Sequence, residues 1–486
     1  MERTTTFDGD TAIVWFRNDL RVSDNAALMA ASRHGAVLPV FIRETNSPAR
    51  PLGAARTWWL HHSLERLAEK LESLGAPLLL LSGDPARIIP DLVQATGAAA
   101  VYWNRRYDPR HQAADTALKA QLQADGLSAE SFAGQLLHEP MRLKTGGGTY
   151  YKVYSPFWRA MEPDIEKRPP LPAPDALPPL PAKLYIASEA LAGWGLLPVA
   201  PNWSGGMNEA WTPGEDGARA RLVDFLENRM QGYAERRDIP GVDATSGLSP
   251  HLASGEITPA QIIEAMSMAD TDASSSDLSK FRKEVGWREF SWHLLANDPG
   301  LPDRNHNSRF DAFPWIRNEN ALQAWQKGLT GYPIVDAGMR ELWRTGWMHN
   351  RVRMVVASFL TKHLMIDWRE GEAWFWDTLV DADPASNAAS WQWVAGSGAD
   401  AAPYFRIFNP VLQGEKFDPD GAYVRENLPE LAEMPSKYIH RPWEAPDSVL
   451  LAAGVRLGKN YPEPIIDHQA ARQRALAAYQ QIKDAA

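Results

Sequence analysis

Short apolar runs alternate with helical patterns through the first 137 residues, and this alternation restricts the fold more than any other feature. Runs of the buried-strand type lie at 11–16, 36–42, 77–81, 98–104 and near 130–137. Helical patterns lie between them, at 23–35, 53–75, 85–97 and 110–125. Strand–helix alternation predicts parallel strands joined by right-handed crossovers in a doubly wound sheet.

The composition changes after residue 137. Seven of the thirteen residues from Pro169 to Pro181 are proline, which disfavours both helix and sheet. From about residue 216 nearly every segment has a helical pattern, and 352–366 is apolar almost all round, as in a central helix. The sequence therefore predicts an α/β amino-terminal domain (1–137), a proline-rich linker (138–215) and an all-α domain (216–486).

The overall composition is that of a globular protein without disulfide or thiolate chemistry. The 486 residues are 44% hydrophobic and 23% charged, and none is Cys. No apolar stretch reaches the roughly 18 residues of a transmembrane helix, and the first ten residues have no signal-peptide core. We therefore expect a cytoplasmic protein that does not bind a membrane. A net charge of −10 argues against a uniformly basic surface for nucleic acid, but it permits one basic face.

Four blocks of the helical half contain residues with chemical potential. They are TSGLSPHLASG (245–255), EVGWREF (284–290), TGWMHNRVRM (345–354) and DADPASNAASWQW (381–393). The hydroxyls and backbone amides of TSGLSP suit a phosphate-binding turn, although a capped helix start would look the same. Arg353 with Asp381 and Asp383 is equally compatible with a buried ion-pair network. No His cluster at ligand spacing accompanies these acids, so we predict no metal site.

The order and spacing of the four blocks resemble the photolyase/cryptochrome family of flavoproteins. The resemblance runs from AIVWFRNDLRVSDNAAL to YPEPIIDHQAARQRAL and is greatest to bacterial enzymes that repair cyclobutane pyrimidine dimers in DNA. It implies a carbon–carbon lyase in which photoexcited, fully reduced FAD donates an electron to a flipped-out dimer, the ring opens and the electron returns. It also implies a monomer in the bacterial cytosol, associated with the nucleoid and without an obligate protein partner.

The resemblance implies a set of FAD-binding residues. The TSGLS turn would bind the pyrophosphate, and Arg353 with the two aspartates would bind the isoalloxazine edge and the ribose. Asn387 would face the central-ring nitrogen of the flavin, where plant cryptochromes typically have Asp, although an Asn here could also be a helix cap. An amide adds no proton of its own, which favours an enzyme kept reduced. The full cofactor set is Tyr233, Thr245, Ser246, Gly247, Leu248, Ser249, Phe281, Glu284, Arg288, Asn350, Arg353, Asp381, Asp383 and Asn387.

The resemblance also implies a lesion pocket between two tryptophans. Trp287 and Trp393 would stack on the pyrimidines at roughly 1–3 kcal/mol per base, although a core role is the alternative. In a dry pocket Glu284 would keep its proton and could stabilise a pyrimidine radical anion. The six–four photoproduct is disfavoured, because Asn350 and Met354 stand where its repair enzymes usually have a His pair. The catalytic set is Glu284, Asn350 and Asn387. The DNA- and lesion-binding set is Arg237, Trp287, Arg288, Asn350, Met354 and Trp393.

The 20 Trp residues exceed what packing requires and indicate stacking or electron transfer. Trp391, Trp368 and Trp315 resemble the family's chain that carries electrons from the surface to photoexcited flavin. Other tryptophans nearby would be side branches or core residues, namely Trp374, Trp376 and Trp325.

The amino-terminal domain of this family usually binds a second, light-harvesting chromophore. In YWNRRYDPRHQ (102–112), Arg110 and His111 replace the Asn-Glu pair of one folate-binding group, whereas YDP resembles the class III branch associated with methenyltetrahydrofolate. We therefore expect methenyltetrahydrofolate as the antenna. The candidate contacts, for which a surface or capping role is equally compatible, are Arg43, Glu44 and Asn104.

Two other functions remain open from sequence alone. A cryptochrome-type blue-light photoreceptor would signal rather than repair; Asn387, the lesion pocket and the absence of a long segment after the last block favour repair. A flavoprotein that carries electrons between proteins would leave Trp287 and Trp393 unexplained.

Overall fold

The amino-terminal domain is built on a five-stranded sheet in which every strand pair is parallel. The computed structural model describes residues 10–401 and 405–484. The strands are β1 (Thr11–Phe16), β2 (Ala36–Glu44), β3 (Leu79–Gly83), β4 (Ala100–Asn104) and β5 (Ser128–Phe132). Their order is β3-β2-β1-β4-β5. The predicted doubly wound sheet is confirmed, with β5 ending before the predicted 130–137 region does.

Four helices connect these strands. They are α1 (Ala26–Ala31), α2 (Ala54–Ser73), α3 (Pro85–Thr96) and α4 (Pro109–Ala124). All six residues of β1 are buried, and alternate side chains enter different cores: Val14 and Phe16 on one face, Ile13 and Trp15 on the other. Burial on both faces explains why β1 is a continuous apolar run.

The rest of the chain is largely helical, which the sequence predicted from residue 216 onward but not for the linker at 138–215. It contains α5 (Tyr154–Met161), α6 (Gly205–Ala210), α7 (Glu215–Asp224), α8 (Tyr233–Arg236), α9 (Ser249–Ser254), α10 (Pro259–Met268), α11 (Ser275–Asn297), α12 (Glu319–Gln326), α13 (Pro333–Thr345), α14 (Asn350–Ser358), α15 (Trp368–Thr378), α16 (Ser386–Ala395), α17 (Pro410–Phe417), α18 (Ala422–Asn427), α19 (Ser436–Ile439), α20 (Asp447–Ala452) and α21 (His468–Asp484). Two π-helical turns, Phe225–Arg229 and Phe359–His363, extend α7 and α14. Short 3₁₀ turns lie at Glu162–Lys167, Ala182–Leu184, Leu191–Trp194, Ser308–Ala312, Pro429–Leu431 and Pro442–Glu444.

The predicted linker has two structurally different parts. The proline-rich part lies along the sheet domain, where Val37 N donates to Pro178 O at 2.8 Å and Leu177 N donates to Leu74 O at 2.7 Å. The part before it contains α5, whose buried side chains belong to the same core as those of α11. The predicted limits of the domains therefore remain a prediction, and α5 packs as part of the helical domain.

Buried arginines join the two domains. Arg21 donates to Gly255 O at 2.9 Å, and Arg56 donates to Ser254 Oγ at 2.6 Å and to Val380 O at 3.2 Å. Because buried guanidinium groups need acceptors, these bonds hold the sheet domain against the helices that form the site.

No helix among the described residues is long and apolar enough to cross a membrane. The segment 1–9, for which the sequence predicts no signal peptide, lies outside the described residues.

The close approach of α5 to α11 gives a test of the fold. A Cβ on Gly286 would lie 2.3 Å from a ring carbon of Trp158, so Gly286→Ala should destabilise the protein by about 1–3 kcal/mol despite the better helix propensity of Ala. Gly205→Ala is the matched control, because a Cβ there meets no atom within 4 Å. Denaturant unfolding of both variants measures the difference. Equal stability would contradict this packing of α5.

Candidate active site

The helical domain contains a cavity of about 630 Å³, within the range of ligand pockets. All residues predicted from the sequence for the cofactor and the lesion line this cavity, together with Trp391. Segments far apart in the chain contribute, namely the 245–249 turn, α11, α14 and α16. The structure therefore brings the four sequence blocks together.

The 245–249 turn lies against a cation that the sequence analysis missed. Gly247 has φ +60°, and a Cβ there would lie 2.6 Å from Arg221 Nη1. Burial lowers the pKa of Arg221, whose guanidinium packs on Trp211 at 4.5 Å. The hydroxyls and backbone amides of the turn suit a diphosphate, whereas Arg221 contacts the turn and is not among the residues that line the cavity. No motif in the sequence pairs α7 with this turn, so only the fold reveals Arg221.

Arg353 and Asp381 form a bidentate ion pair in the cavity wall. Their two N–O distances are 2.8 and 3.1 Å, and Ser249 Oγ donates to the same carboxylate at 2.6 Å. Arg353 and Asp381 thus form the ion pair that the sequence analysis gave as the alternative to a cofactor site. Both residues also line the cavity. Asp383 has a different environment: it accepts from the backbone N–H groups of Ala385 and Ser386, and burial raises its pKa.

Asn387 is buried with its amide in one orientation. Nδ2 donates to Glu372 Oε1 at 2.7 Å and to Glu372 O at 3.1 Å. Both partners only accept, so they fix which end of the amide carries the nitrogen. Oδ1 receives no hydrogen bond from any residue that the structure describes, and Asn387 lines the cavity. This arrangement offers an acceptor to a ligand.

Trp287, which is predicted to stack on the lesion, packs against a residue of the predicted linker. Tyr154 of α5 stacks on Trp287 with ring centroids 3.8 Å apart and planes 8° from parallel. Tyr154 N donates to Asp400 Oδ2 at 3.3 Å, and the second wall, Trp393, donates from Nε1 to Asp400 O at 3.0 Å. The two walls are therefore connected through Tyr154 and Asp400, neither of which the sequence analysis identified.

Glu284 does not lie in the dry pocket considered for it. Its side chain is 25% exposed, pairs with Arg237, and lies 3.4 Å from Lys280 Nζ. The dry pocket that was the condition for a protonated Glu284 is absent, because cations from α11 and the end of α8 contact the carboxyl group. Asn350, also on the cavity wall, is exposed.

The two arginines predicted to bind DNA lie inside the protein rather than on an outer rim. Arg237 is 8% exposed and is held by Glu284. Arg288 donates to Gln135 O at 3.1 Å and to Leu252 O at 3.4 Å. Direct phosphate contacts by these two residues stay a prediction that their placement does not favour.

The three tryptophans of the predicted electron chain lie in or against one hydrophobic core. Trp391 packs against α15, where a Cβ on Gly371 would lie 2.1 Å from its ring, and α15 begins at Trp368. Trp368 Nε1 donates to Asn305 Oδ1 at 2.9 Å. Trp315, which is half-buried, packs on Phe313 at 4.4 Å. Trp391 Nε1 is buried without a partner among the described residues.

The candidate antenna residues are engaged within the protein. Arg43 donates to Trp194 O at 2.8 Å, and Glu44 pairs with Arg106. Asn104 is buried and donates to Asp19 Oδ2 at 2.7 Å. Their role as chromophore contacts stays a prediction.

One group of possible metal ligands exists among the described residues, and it lies outside the cavity. His61, His62 and Glu65 are neighbours on α2, and both imidazoles approach the Glu65 carboxylate, at 3.2 and 3.0 Å. These His–Glu contacts account for the cluster without an ion.

Comparisons with known proteins agree with this fold and cavity. Residues 12–175 match the family model described as DNA photolyase, and residues 281–481 match the FAD binding domain of DNA photolyase. The deoxyribodipyrimidine photo-lyase of Agrobacterium fabrum is 58% identical over 97% of this chain and 98% of its own length. Cryptochrome-2 of Arabidopsis thaliana is 39% identical over 97% of this chain and 79% of its own.

A solved structure extends the likeness to three dimensions. The bacterial class III photolyase from Agrobacterium tumefaciens superposes with a TM-score of 0.96 at 57% identity, covering 100% of both chains. The chain combines a parallel-sheet domain with a helical domain whose cavity is lined by the residues predicted to bind FAD. This combination is typical of a class of light-dependent flavoproteins. Within that class, the chain belongs to the DNA photolyase family, which confirms the predicted family and fold.

A buried carboxyl behind the site gives a pH test. Burial raises the pKa of Glu341 from 4.5 to about 7, although Tyr423 Oη donates to it at 2.6 Å and His349 N at 3.3 Å. The folded state therefore binds this proton more tightly than the unfolded state. The resulting stability, up to about 3 kcal/mol, is present below about pH 4.5 and is lost as pH rises through about 7.

Glu341→Gln should remove that contribution. The loss of unfolding free energy between pH 5 and pH 8 should be smaller in this variant than in the parent, because the amide does not titrate. Glu319→Gln is the control, since the Glu319 side chain is 63% exposed. Parallel pH profiles for the Glu341 variant and the parent would contradict the assignment.

Proposed function

We propose that this protein repairs cyclobutane pyrimidine dimers in DNA by light-driven electron transfer from fully reduced FAD. The main support for this proposal is that a single cavity is lined by the 245–249 turn, which is predicted to bind the FAD pyrophosphate, and by Trp287 and Trp393, which are predicted to stack on the lesion. Its bacterial relative at 58% identity is named deoxyribodipyrimidine photo-lyase, and plant cryptochromes are more distant at 39%.

The cavity offers donors and acceptors that fit FAD. The 245–249 turn would hold the diphosphate, while the Arg353–Asp381 pair would face the isoalloxazine edge. The free Asn387 Oδ1 would accept from the central-ring nitrogen of the reduced ring. FAD, when bound and fully reduced, supplies the excited-state electron that opens the dimer.

The chain's own residues would bind and orient the lesion. A flipped-out dimer loses stacking in the duplex and regains it between Trp287 and Trp393. Stacking on Tyr154 holds the Trp287 ring in place before DNA arrives, which reduces the ordering cost of binding. Glu284 and Asn350 would hydrogen-bond the bases, with Arg237 orienting the Glu284 carboxylate. Lys280, with a side chain 45% exposed at the cavity mouth, is the better-placed cation for a DNA phosphate.

The proposal extends to the electron supply, the antenna and the cellular setting. Trp391, Trp368 and Trp315 would carry electrons inward to photoexcited oxidised flavin. Methenyltetrahydrofolate would act as the antenna in the amino-terminal domain, as the resemblance of residues 102–112 to the class III branch implies. The protein would act as a monomer in the cytoplasm, near the nucleoid.

The decisive assay is illumination of the purified, chemically reduced protein with a thymine-dimer oligonucleotide, followed by chromatography of the product. We expect light-dependent return of intact thymines with reduced protein and none in the dark. Binding and blue-light absorption without any repair would instead support the cryptochrome-type photoreceptor.

Trp391→Phe should block photoreduction of the oxidised flavin, because phenylalanine is much harder to oxidise than tryptophan. Repair by chemically reduced enzyme should stay nearly at the parental level, since the lesion receives its electron from the flavin. Absorption changes under illumination measure the first effect and product chromatography the second. Trp343→Phe, at a side chain that does not line the cavity, is the control. Parental photoreduction in the Trp391 variant would refute the predicted chain.

Trp287→Ala should weaken binding of dimer-containing DNA about ten- to a hundredfold, because one stacking wall contributes roughly 1–3 kcal/mol. Repair per absorbed photon at saturating DNA should change much less. Fluorescence anisotropy in the dark gives the affinity, with Trp343→Ala as the matched control. An unchanged dissociation constant would contradict the predicted stacking of Trp287 on the lesion.

A further inference from the structure

The loop between β2 and α2 is fixed onto α15. Trp376 Nε1 donates to Pro51 O at 2.8 Å, and Ala54 N donates to Asp377 Oδ1 at 2.9 Å. A Cβ on Gly53 would lie 2.1 Å from Trp376 O, so the two backbones touch. The loop is thus held at a defined position on the helix that carries Glu372.

Arg50 of this loop reaches the buried carboxylate of Glu372. Its Nη1 lies 2.8 Å from Glu372 Oε2, and its guanidinium packs over the Trp376 ring at 4.8 Å. The Glu372 side chain is 8% exposed and that of Arg50 is 36% exposed. Among the described residues, Arg50 is the cation that forms an ion pair with this carboxylate, and a buried carboxylate without such a partner is costly.

The other oxygen of the same carboxylate holds the Asn387 amide. Glu372 Oε1 accepts from Asn387 Nδ2 at 2.7 Å, and this bond turns Asn387 Oδ1 away from Glu372. A charged acceptor holds an amide N–H about twice as strongly as a neutral one. The two oxygens of one carboxylate therefore link Arg50 to the Asn387 amide, so Arg50 holds the group that orients Asn387.

We propose that Arg50, a residue of the amino-terminal domain, is a positioning residue for the flavin: through Glu372 it fixes the Asn387 amide with its oxygen available to the central-ring nitrogen. The inference rests on the proposed function, because it takes the cavity to hold FAD beside Asn387. It assigns the amino-terminal domain a role in setting flavin chemistry that is separate from any antenna.

The test is the midpoint potential for the first electron added to bound flavin, at one fixed pH. In Arg50→Gln, Glu372 loses its counter-charge and the amide loses its fixed acceptor. The equilibrium constant for electron uptake should fall about three- to tenfold, the effect of weakening one charge-assisted hydrogen bond. Arg50→Lys keeps the charge and should recover most of the parental value.

Two further variants separate this role from a structural one. In a Glu372→Gln background, Arg50→Gln should add no shift, because the carboxylate through which it acts is gone. Arg66→Gln removes another arginine of the same domain from an exposed ion pair and should leave the potential unchanged. A role in domain packing alone would lower the melting temperature of Arg50→Gln without changing the potential.

The outcomes distinguish the two proposals. A parental potential in Arg50→Gln, measured on flavin-loaded protein that repairs DNA, would overturn the positioning role and leave the proposed function intact. A shifted potential in protein that repairs nothing would support the positioning role and overturn the proposed function. Protein that binds no flavin would overturn both.

Discussion

The bidentate ion pair between Arg353 and Asp381 is the interaction on which the site depends. It joins α14 to the segment before α16, and Ser249 Oγ donates to the same carboxylate. Three sequence blocks meet at these atoms. Because removing one partner of a buried pair leaves an uncompensated charge, no block can move away without a large energetic cost. The cavity is therefore defined by a charge constraint as well as by apolar packing.

Most cations near the cavity are neutralised by partners within the protein. Arg237 pairs with Glu284, Arg351 with Asp238 and Arg353 with Asp381. Because each of these arginines has an acidic partner, the cavity is rich in arginine without being strongly positive, and the chain as a whole has a net charge of −10. Recognition of DNA by this surface would then rely on stacking and on exposed lysines such as Lys280, more than on the arginines named from the sequence.

The elements that have a periodic pattern could be predicted from the sequence. Residues whose role depends on contacts between distant segments could not. The strand–helix alternation was sufficient for the sheet and the helical patterns for the second domain, because each is encoded within a short stretch. The residues of the cavity wall followed from the resemblance of four blocks to the photolyase/cryptochrome family. Tyr154 and Arg50 lie in segments that carry no periodic pattern, and they meet Trp287 and Glu372 only after folding. The sequence left the environment of Glu284 open, since its pairing with Arg237 joins separate helices.

The central claim is that the flavin site and the lesion site are one cavity, so that an electron can pass directly between their occupants. The most direct measurement is the fluorescence lifetime of reduced flavin in the protein with and without a thymine-dimer oligonucleotide. We expect a marked shortening with the dimer and no change with the same oligonucleotide undamaged. An unchanged lifetime at saturating dimer-containing DNA would contradict it.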